Sequence, residues 1–286
     1  MDEVTLKVAV EPHILAALRE DVTSEDVSGS ALPDRSRRAR VQLIAKEEGV
    51  IAGLDVFERV FMLLDQQASF ERFACDGDEV VPGALIEIVE ARVGVLLAGE
   101  RTALNYLQRM SGIATKTRRA VRVLEQAGSS TKIVDTRKTT PGMRLFEKEA
   151  VRIGGGINHR FNLSDGVMLK DNHLDAAGGV LAAVAAVRAH APFVRKIEVE
   201  CESLEQVAEA LEAGADIIML DNMDDDAMRE AVTLVGDRAE TECSGNVDEA
   251  RLASIASIGV TYVSSGALTH SAGIIDLSMK HLEVLA

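Results

Sequence analysis

The amino-acid sequence predicts an α/β barrel with fewer than eight strands, preceded by a separate α+β unit. Three observations carry this. From about Thr131 onward, the short β-type runs KIVDT, DGVMLKD, RKIEVEC, ADIIML, RAETECS and VTYVSSG alternate with stretches of helical spacing at 176–190, 204–213, 225–235 and 248–257. Such alternation gives parallel strands joined by right-handed helical crossovers. The pattern Asp165-x-x-Met168-Leu169-x-Asp171-Asn172 is echoed by Asp216-x-x-Met219-Leu220-Asp221-Asn222, as in a recurring unit. The first hundred residues lack this rhythm. They read as a helix at 11–19, a strand-like stretch at 40–53, a helix at 54–64, and β-type segments at 70–90 punctuated by Gly77, Pro82 and Gly83. A long helix at 96–126 then leads toward the barrel, for which six or seven strand candidates are visible.

A chain of 286 residues, 47% hydrophobic and 27% charged, has the composition of a folded globular protein. Its first residues lack the basic start and apolar core of a signal peptide, and its longest apolar stretch, 178–187, is too short to span a bilayer. A soluble, cytoplasmic protein is expected. Cys75, Cys201 and Cys243 are widely spaced and odd in number, so buried free thiols are expected rather than disulfides or a zinc site. A net charge of −15 and the absence of Trp argue against nucleic acid as a partner. Between Lys132 and Asn172, however, eight bases face five acids. A basic segment in an acidic chain suggests a cleft for a small polyanion.

Catalytic groups of α/β barrels sit where strands end at the C-terminal edge. Several runs here close on polar residues: Thr136, Arg137 and Lys138 after IVD, Lys170 after VML, Asp221 after IIML, and Ser264, Ser265 and Gly266 after TYV. Any one of these could be a solvated strand end; together they converge. In Lys196-Ile197-Glu198-Val199-Glu200, alternation puts the three charges on one face, expected to point into the barrel. The run Gly154-Gly155-Gly156-Ile157-Asn158-His159-Arg160 fits either an ordinary loop or backbone brought close to a ligand. Ser244, Gly245 and Asn246 follow a late strand, where barrels often place phosphate. Arg101 reads as a surface arginine on a helix, His13, His190, His270 and His281 as structural, and the Met and Phe residues as core. The DGDEVVPG turn resembles those of biotin or lipoyl carriers but offers no lysine at its tip.

The run DTRKTTPGMRLFEKEAVRIGGGINHRFNLSDGVMLKDNHL, with ERTALNYLQRMSGIAT before it and ADIIMLDNM, SGN and SSGALTHSA after it, closely resembles the quinolinate phosphoribosyltransferases over essentially the whole chain. The resemblance implies an N-terminal α/β sandwich at 1–110, completed by a C-terminal tail at 267–286, and an open α/β barrel at 111–266. It implies a homodimer with shared active sites, higher assembly being left open. It further implies that Arg137, His159, Arg160 and Lys170 form a cationic quinolinate pocket, with Arg101 reaching in from a partner subunit. Lys138, Glu200 and Asp221 would serve phosphoribosyl pyrophosphate and its Mg2+, with Ser244–Asn246 and Ser264–Gly266 on the 5′-phosphate, Thr136 among the substrate-binding residues, and no organic cofactor. Three positions depart from the family pattern: Ile153 where a cysteine is frequent, Asn246 where a second glycine is common, and EDVTSEDVS in place of a GDIT-like segment.

Rival readings are a related protein associated with molybdate transport, which the intact TRKTT and GGGINHR runs disfavour, and a transferase of a monocarboxylic pyridine. From other classes come a Schiff-base lyase using Lys170 or Lys138 and a non-catalytic anion-binding protein.

Overall fold

The computed structural model describes every residue except Asp34 and Asn246. The chain forms two compact units, Met1–Lys116 with Ala272–Ala286, and Thr117–Ser271. The helix Val93–Gln126 contributes to both, so the divisions fall slightly later than 110/111 and 266/267. Strands of the first unit are β1 (Arg38–Ala45), β2 (Gly49–Val50), β3 (Ser69–Arg72), β4 (Glu79–Val80) and β5 (Leu85–Arg92). The second unit holds β6 (Lys132–Val134), β7 (Val167–Leu169), β8 (Ile197–Cys201), β9 (Ile217–Asp221), β10 (Glu240–Ser244) and β11 (Tyr262–Ser264). The chain returns to the first unit as β12 (Leu277–Val284).

In the first unit an antiparallel sheet runs β12-β1-β5-β3, and β2 pairs with β4. Period-two burial in β1 places Ala39, Val41, Leu43 and Ala45 inside. The helix Leu54–Leu64 buries Leu54, Val56, Phe57, Val60 and Phe61, with the two phenylalanine rings edge-to-face at 5.2 Å. Burying each ring stabilises the fold by about 2–3 kcal/mol. The stretch expected as one strand at 40–53 is interrupted after Ala45 and resumes at Gly49, because Lys46, Glu47 and Glu48 lie exposed between. The C-terminal tail completes the sheet on the edge of β1, from Ala39↔Val284 to Ala45↔Leu277. Gly112 permits its entry, since a Cβ there would lie 1.9 Å from the Gly273 carbonyl oxygen.

The second unit is a parallel sheet in the order β6-β11-β10-β9-β8-β7. Strands β7 to β11 follow chain order around it, so the barrel is open between β6 and β7, where Ile157 bridges to Val134. All six strands fall on the predicted runs, β9 reaching one residue further, to Asp221. Helices Leu204–Glu212, Asp225–Val235 and Glu249–Ile255 follow their strands, their first turns capped by Ser203, Asp224 and Asp248. The single helix expected at 176–190 is instead two, Asp171–Ala177 and Val180–His190, because Gly178 and Gly179 adopt positive φ of 86° and 124°. An amphipathic helix, Arg144–Ile153, lies between β6 and β7 and was not anticipated.

Two expectations about the core need correction. Cys201 and Cys243 are buried, with thiol pKa values pushed up by burial to about 12 and about 11, but Cys75 is exposed. Phe193, Phe73 and Phe161 are exposed rather than core residues. Among the described residues, no helix is long and apolar enough to cross a membrane.

Candidate active site

Parallel strands of one barrel deliver their C-terminal ends to one rim. There a cavity of about 310 Å³ is lined by Thr136, Arg137, Lys138, His159, Arg160, Met168, Lys170, Met219, Glu242, Ser244 and Ser264. Residues of β7, β9, β10 and β11 and of the loops after β6 and β7 thus meet in one place. Lys138 arrives through a turn in which its N–H donates to Thr136 Oγ1 at 3.0 Å, and its carbonyl accepts from Thr269 Oγ1 at 2.8 Å. Its stem lies along Gly266, where an added Cβ would come within 2.9 Å of Lys138 Cδ. Lys170 follows β7 and pairs with Glu200 near the end of β8. Asp221 ends β9 in register with Ser244 of β10. Its Oδ2 accepts from Asn222 Nδ2 at 2.7 Å, and Asn222 is left-handed at φ 54°. Gly245, at φ 104°, packs against that side chain, a Cβ there lying 2.8 Å from Asn222 Oδ1.

The pocket's charge is strongly polarised. Arg137 and Arg160 are near enough that Arg137, after burial, lowers the Arg160 guanidinium pKa. Like charges held together without an anion destabilise each other, and a bound polyanion relieves that repulsion. Beneath them, His159 Nε2 lies 3.1 Å from Glu198 Oε2 and 3.6 Å from Glu242 Oε2. The N–H of Arg160 donates to His159 Nδ1 at 2.6 Å, so the ring proton sits on Nε2 and faces both carboxylates. Burial opposes the imidazolium, but the Glu198 hydrogen bond and the two carboxylate charges outweigh it and raise the pKa. Burial first, then Glu198, push the Glu242 carboxyl upward.

Each predicted site residue can now be placed. Thr136, Arg137, Lys138, His159, Arg160, Lys170, Ser244 and Ser264 line the one cavity. Glu200 reaches it through Lys170, and Gly266 through Lys138. Ser265 is buried, and its N–H is spent on the Val134 carbonyl at 3.0 Å, which removes it as a backbone phosphate donor. Asn246 lies outside the described residues. Arg101 is exposed on the helix Val93–Gln126, in the first unit. Lys196 shares the inward face but not the rim: it precedes β8, its side chain is 60% exposed, it pairs with Glu240 at the opposite end of the strands, and with Glu198 and Glu242 it lines a second cavity there. Glu242 was missed. The alternation of Glu240 and Glu242 in RAETECS was the signal that could have found it.

The N-terminal residues 21–111 match the quinolinate phosphoribosyl transferase N-terminal domain, and residues 113–280 match the C-terminal domain of the same family. The chain belongs to the quinolinate phosphoribosyl transferase family. Among relatives, a probable nicotinate-nucleotide pyrophosphorylase [carboxylating] of Synechocystis is 43% identical, covering 96% of this chain and 92% of its own. The human nicotinate-nucleotide pyrophosphorylase [carboxylating] is 39% identical, covering 98% and 96%. The crystal structure of NadC from Streptococcus pyogenes superposes with a TM-score of 0.95 at 50% identity, over the full length of both chains. The cavity brings together the cationic loops and Ser244 and Ser264 of the late strands, while Glu200 adjoins it through Lys170 and Asp221 lies in register with Ser244.

Proposed function

We propose that the protein transfers the phosphoribosyl group of phosphoribosyl pyrophosphate to quinolinate with loss of carbon dioxide, forming nicotinate mononucleotide and pyrophosphate in NAD biosynthesis. The observation that carries this reading is the convergence of Arg137, Arg160, Lys138 and Lys170 on one cavity of small-molecule size. Quinolinate brings two carboxylates. Arg137 and Arg160 match such groups with paired, charge-assisted hydrogen bonds, while Lys170 adds a point charge. His159, with both ring nitrogens engaged inside the protein, serves as a wall anchored from below. Lys138, stretched along Gly266, faces the phosphoribosyl side, where the Ser244–Asn246 loop with Ser264 and Gly266 would hold the 5′-phosphate and Thr136 lines the substrate cavity.

Glu200 and Asp221 offer carboxylate oxygens near the ends of adjacent strands, the donor type that Mg2+ takes, so these residues fit such an ion. Bound there, Mg2+ would neutralise the pyrophosphate leaving group. The chain's own part is positioning and electrostatics: it aligns the ring nitrogen with the ribose carbon and lowers the cost of assembling two anions. Bonding to ribose makes the ring nitrogen cationic, which stabilises the carbanion left by carbon dioxide. No organic cofactor and no lysine nucleophile are needed. We place the reaction in the cytoplasm, in a homodimer where Arg101 of each chain completes the site of its partner.

The test is pyrophosphate release and nicotinate mononucleotide formation from quinolinate and phosphoribosyl pyrophosphate, with and without Mg2+. Wild type should turn over only with the metal, and Arg137→Ala should lose about 100-fold or more in kcat/KM for quinolinate. A folded wild type that turns over nicotinate instead, or neither pyridine, would refute the proposal.

A further inference from the structure

We propose that the helix Arg144–Ile153 is a brace that sets the spacing of the anion pocket, with Arg144 and Lys148 as positioning residues. This rests on the reading that Arg137 and Arg160 hold quinolinate. Those two arginines sit on separate loops, one following β6 and the other following the glycine run. The backbone of strand β6 meets the second loop at the bridge from Val134 to Ile157.

The helix joins them further out. Arg144, Glu147 and Lys148 stand at i, i+3 and i+4, on one helix face. Arg144 Nη2 donates to the Arg137 carbonyl at 3.3 Å and Nε to Thr139 Oγ1 at 3.0 Å, while Nη1 reaches across to the Phe161 carbonyl at 3.1 Å. Glu147 Oε2 accepts the Thr140 N–H at 3.1 Å. Lys148 Nζ donates to Asp135 Oδ1 at 2.5 Å and to the His159 carbonyl at 2.9 Å, and the same Asp135 oxygen accepts the His159 N–H at 2.8 Å. The Asn158 amide, turned to donate, reaches Asp135 Oδ2 at 2.8 Å and the Lys148 carbonyl at 2.9 Å. Every one of these side chains except Asn158 grips a residue of a ligand-bearing loop from the helix or from the end of β6.

Burial makes the arrangement informative. Asp135 and Glu147 are 0% exposed and Lys148 1%. An apolar pair of similar volume would usually serve stability as well as a buried ion pair, so stability alone does not account for charges here. What an apolar pair would lack is directional hold on the His159 and Arg137 backbones. Spacing between the two guanidinium groups is what a rigid dicarboxylate would sense.

Arg144 is only half-buried, so Arg144→Met should fold. With phosphoribosyl pyrophosphate saturating, it should raise KM for quinolinate by about tenfold or more, and Arg144→Lys should recover part of that loss. The neutral pair Asp135→Asn with Lys148→Met, which keeps an acceptor for the His159 N–H, should show the same rise in KM. If both variants melt lower yet keep KM and kcat within about twofold of wild type, the brace is merely structural and the proposal is overturned. Arg160→Ala serves as the control. Should it leave KM for quinolinate unchanged, the binding assignment itself has failed and the brace falls with it. Should it raise KM while the helix variants do not, only the brace is refuted.

Discussion

Glu87 and Glu242 are both glutamates of β-strands, and each carries a buried oxygen that meets no hydrogen-bond donor. Burial is the main cause holding both carboxyls above their ordinary pKa, with Glu58 adding to it at Glu87 and Glu198 at Glu242. Glu242 has a use for its charge, because it faces the His159 ring proton. Glu87 lies in the first unit, among Glu58, Arg72 and Asp55, and no feature of the anion cavity depends on it. Its sign is clear: a folded pKa raised above the unfolded value means the native state holds the proton longer, so stability falls as pH rises from the ordinary carboxylate range toward the folded value. Replacing Glu87 with Gln should therefore raise Tm by several degrees at pH 8 and by much less at pH 5. Melting curves at the two pH values check this, and an equal gain at both would show that ionisation is not the cause.

Elements met their expectations where periodicity was strong and failed where a local backbone feature intervened. The run RVQLIA became β1 because its alternation matches a half-buried strand. Between 176 and 190 the apolar spacing is continuous through two glycines, and only their left-handed φ values divide the helix. The helix Arg144–Ile153 escaped notice because its inward face carries Glu147 and Lys148 beside Phe146, Ala150 and Val151, which blurs the apolar stripe. In the helix Val93–Gln126 the decisive residue is Gly112, whose missing side chain leaves room for the returning tail. Gly112→Ala should cost about 3 kcal/mol, since the obstructing atom is backbone and cannot rotate away. Urea denaturation would measure it, and a loss under about 1 kcal/mol would mean the tail shifts freely.

Assembly is where the proposed mechanism makes its broadest claim. Arg101 is exposed, and on the proposed reading it meets the substrate anion in the site of a partner chain. An Arg101→Ala chain mixed with a Lys138→Ala chain should regain roughly a quarter of wild-type activity, because about half of randomly mixed dimers are hybrids with one intact site of two. Demonstrated subunit exchange without rescue would place Arg101 elsewhere. The six strand runs of the barrel and the family were readable along the chain, because strand periodicity and the long DTRKTT to DNHL run are local properties of sequence, whereas the return of the tail came from the resemblance and its pairing with β1 from the structure. Strand ends also announced most of the cavity wall, since a polar residue closing an apolar run has few other reasons to be there. The partners of those residues were not readable. Lys148 meets Asp135, His159 meets Glu242, and Lys196 meets Glu240 at the far end of the strands. Which charges pair across a barrel depends on register, on the depth of each side chain and on the break between β6 and β7, and these are set by packing between distant segments rather than by any spacing within one.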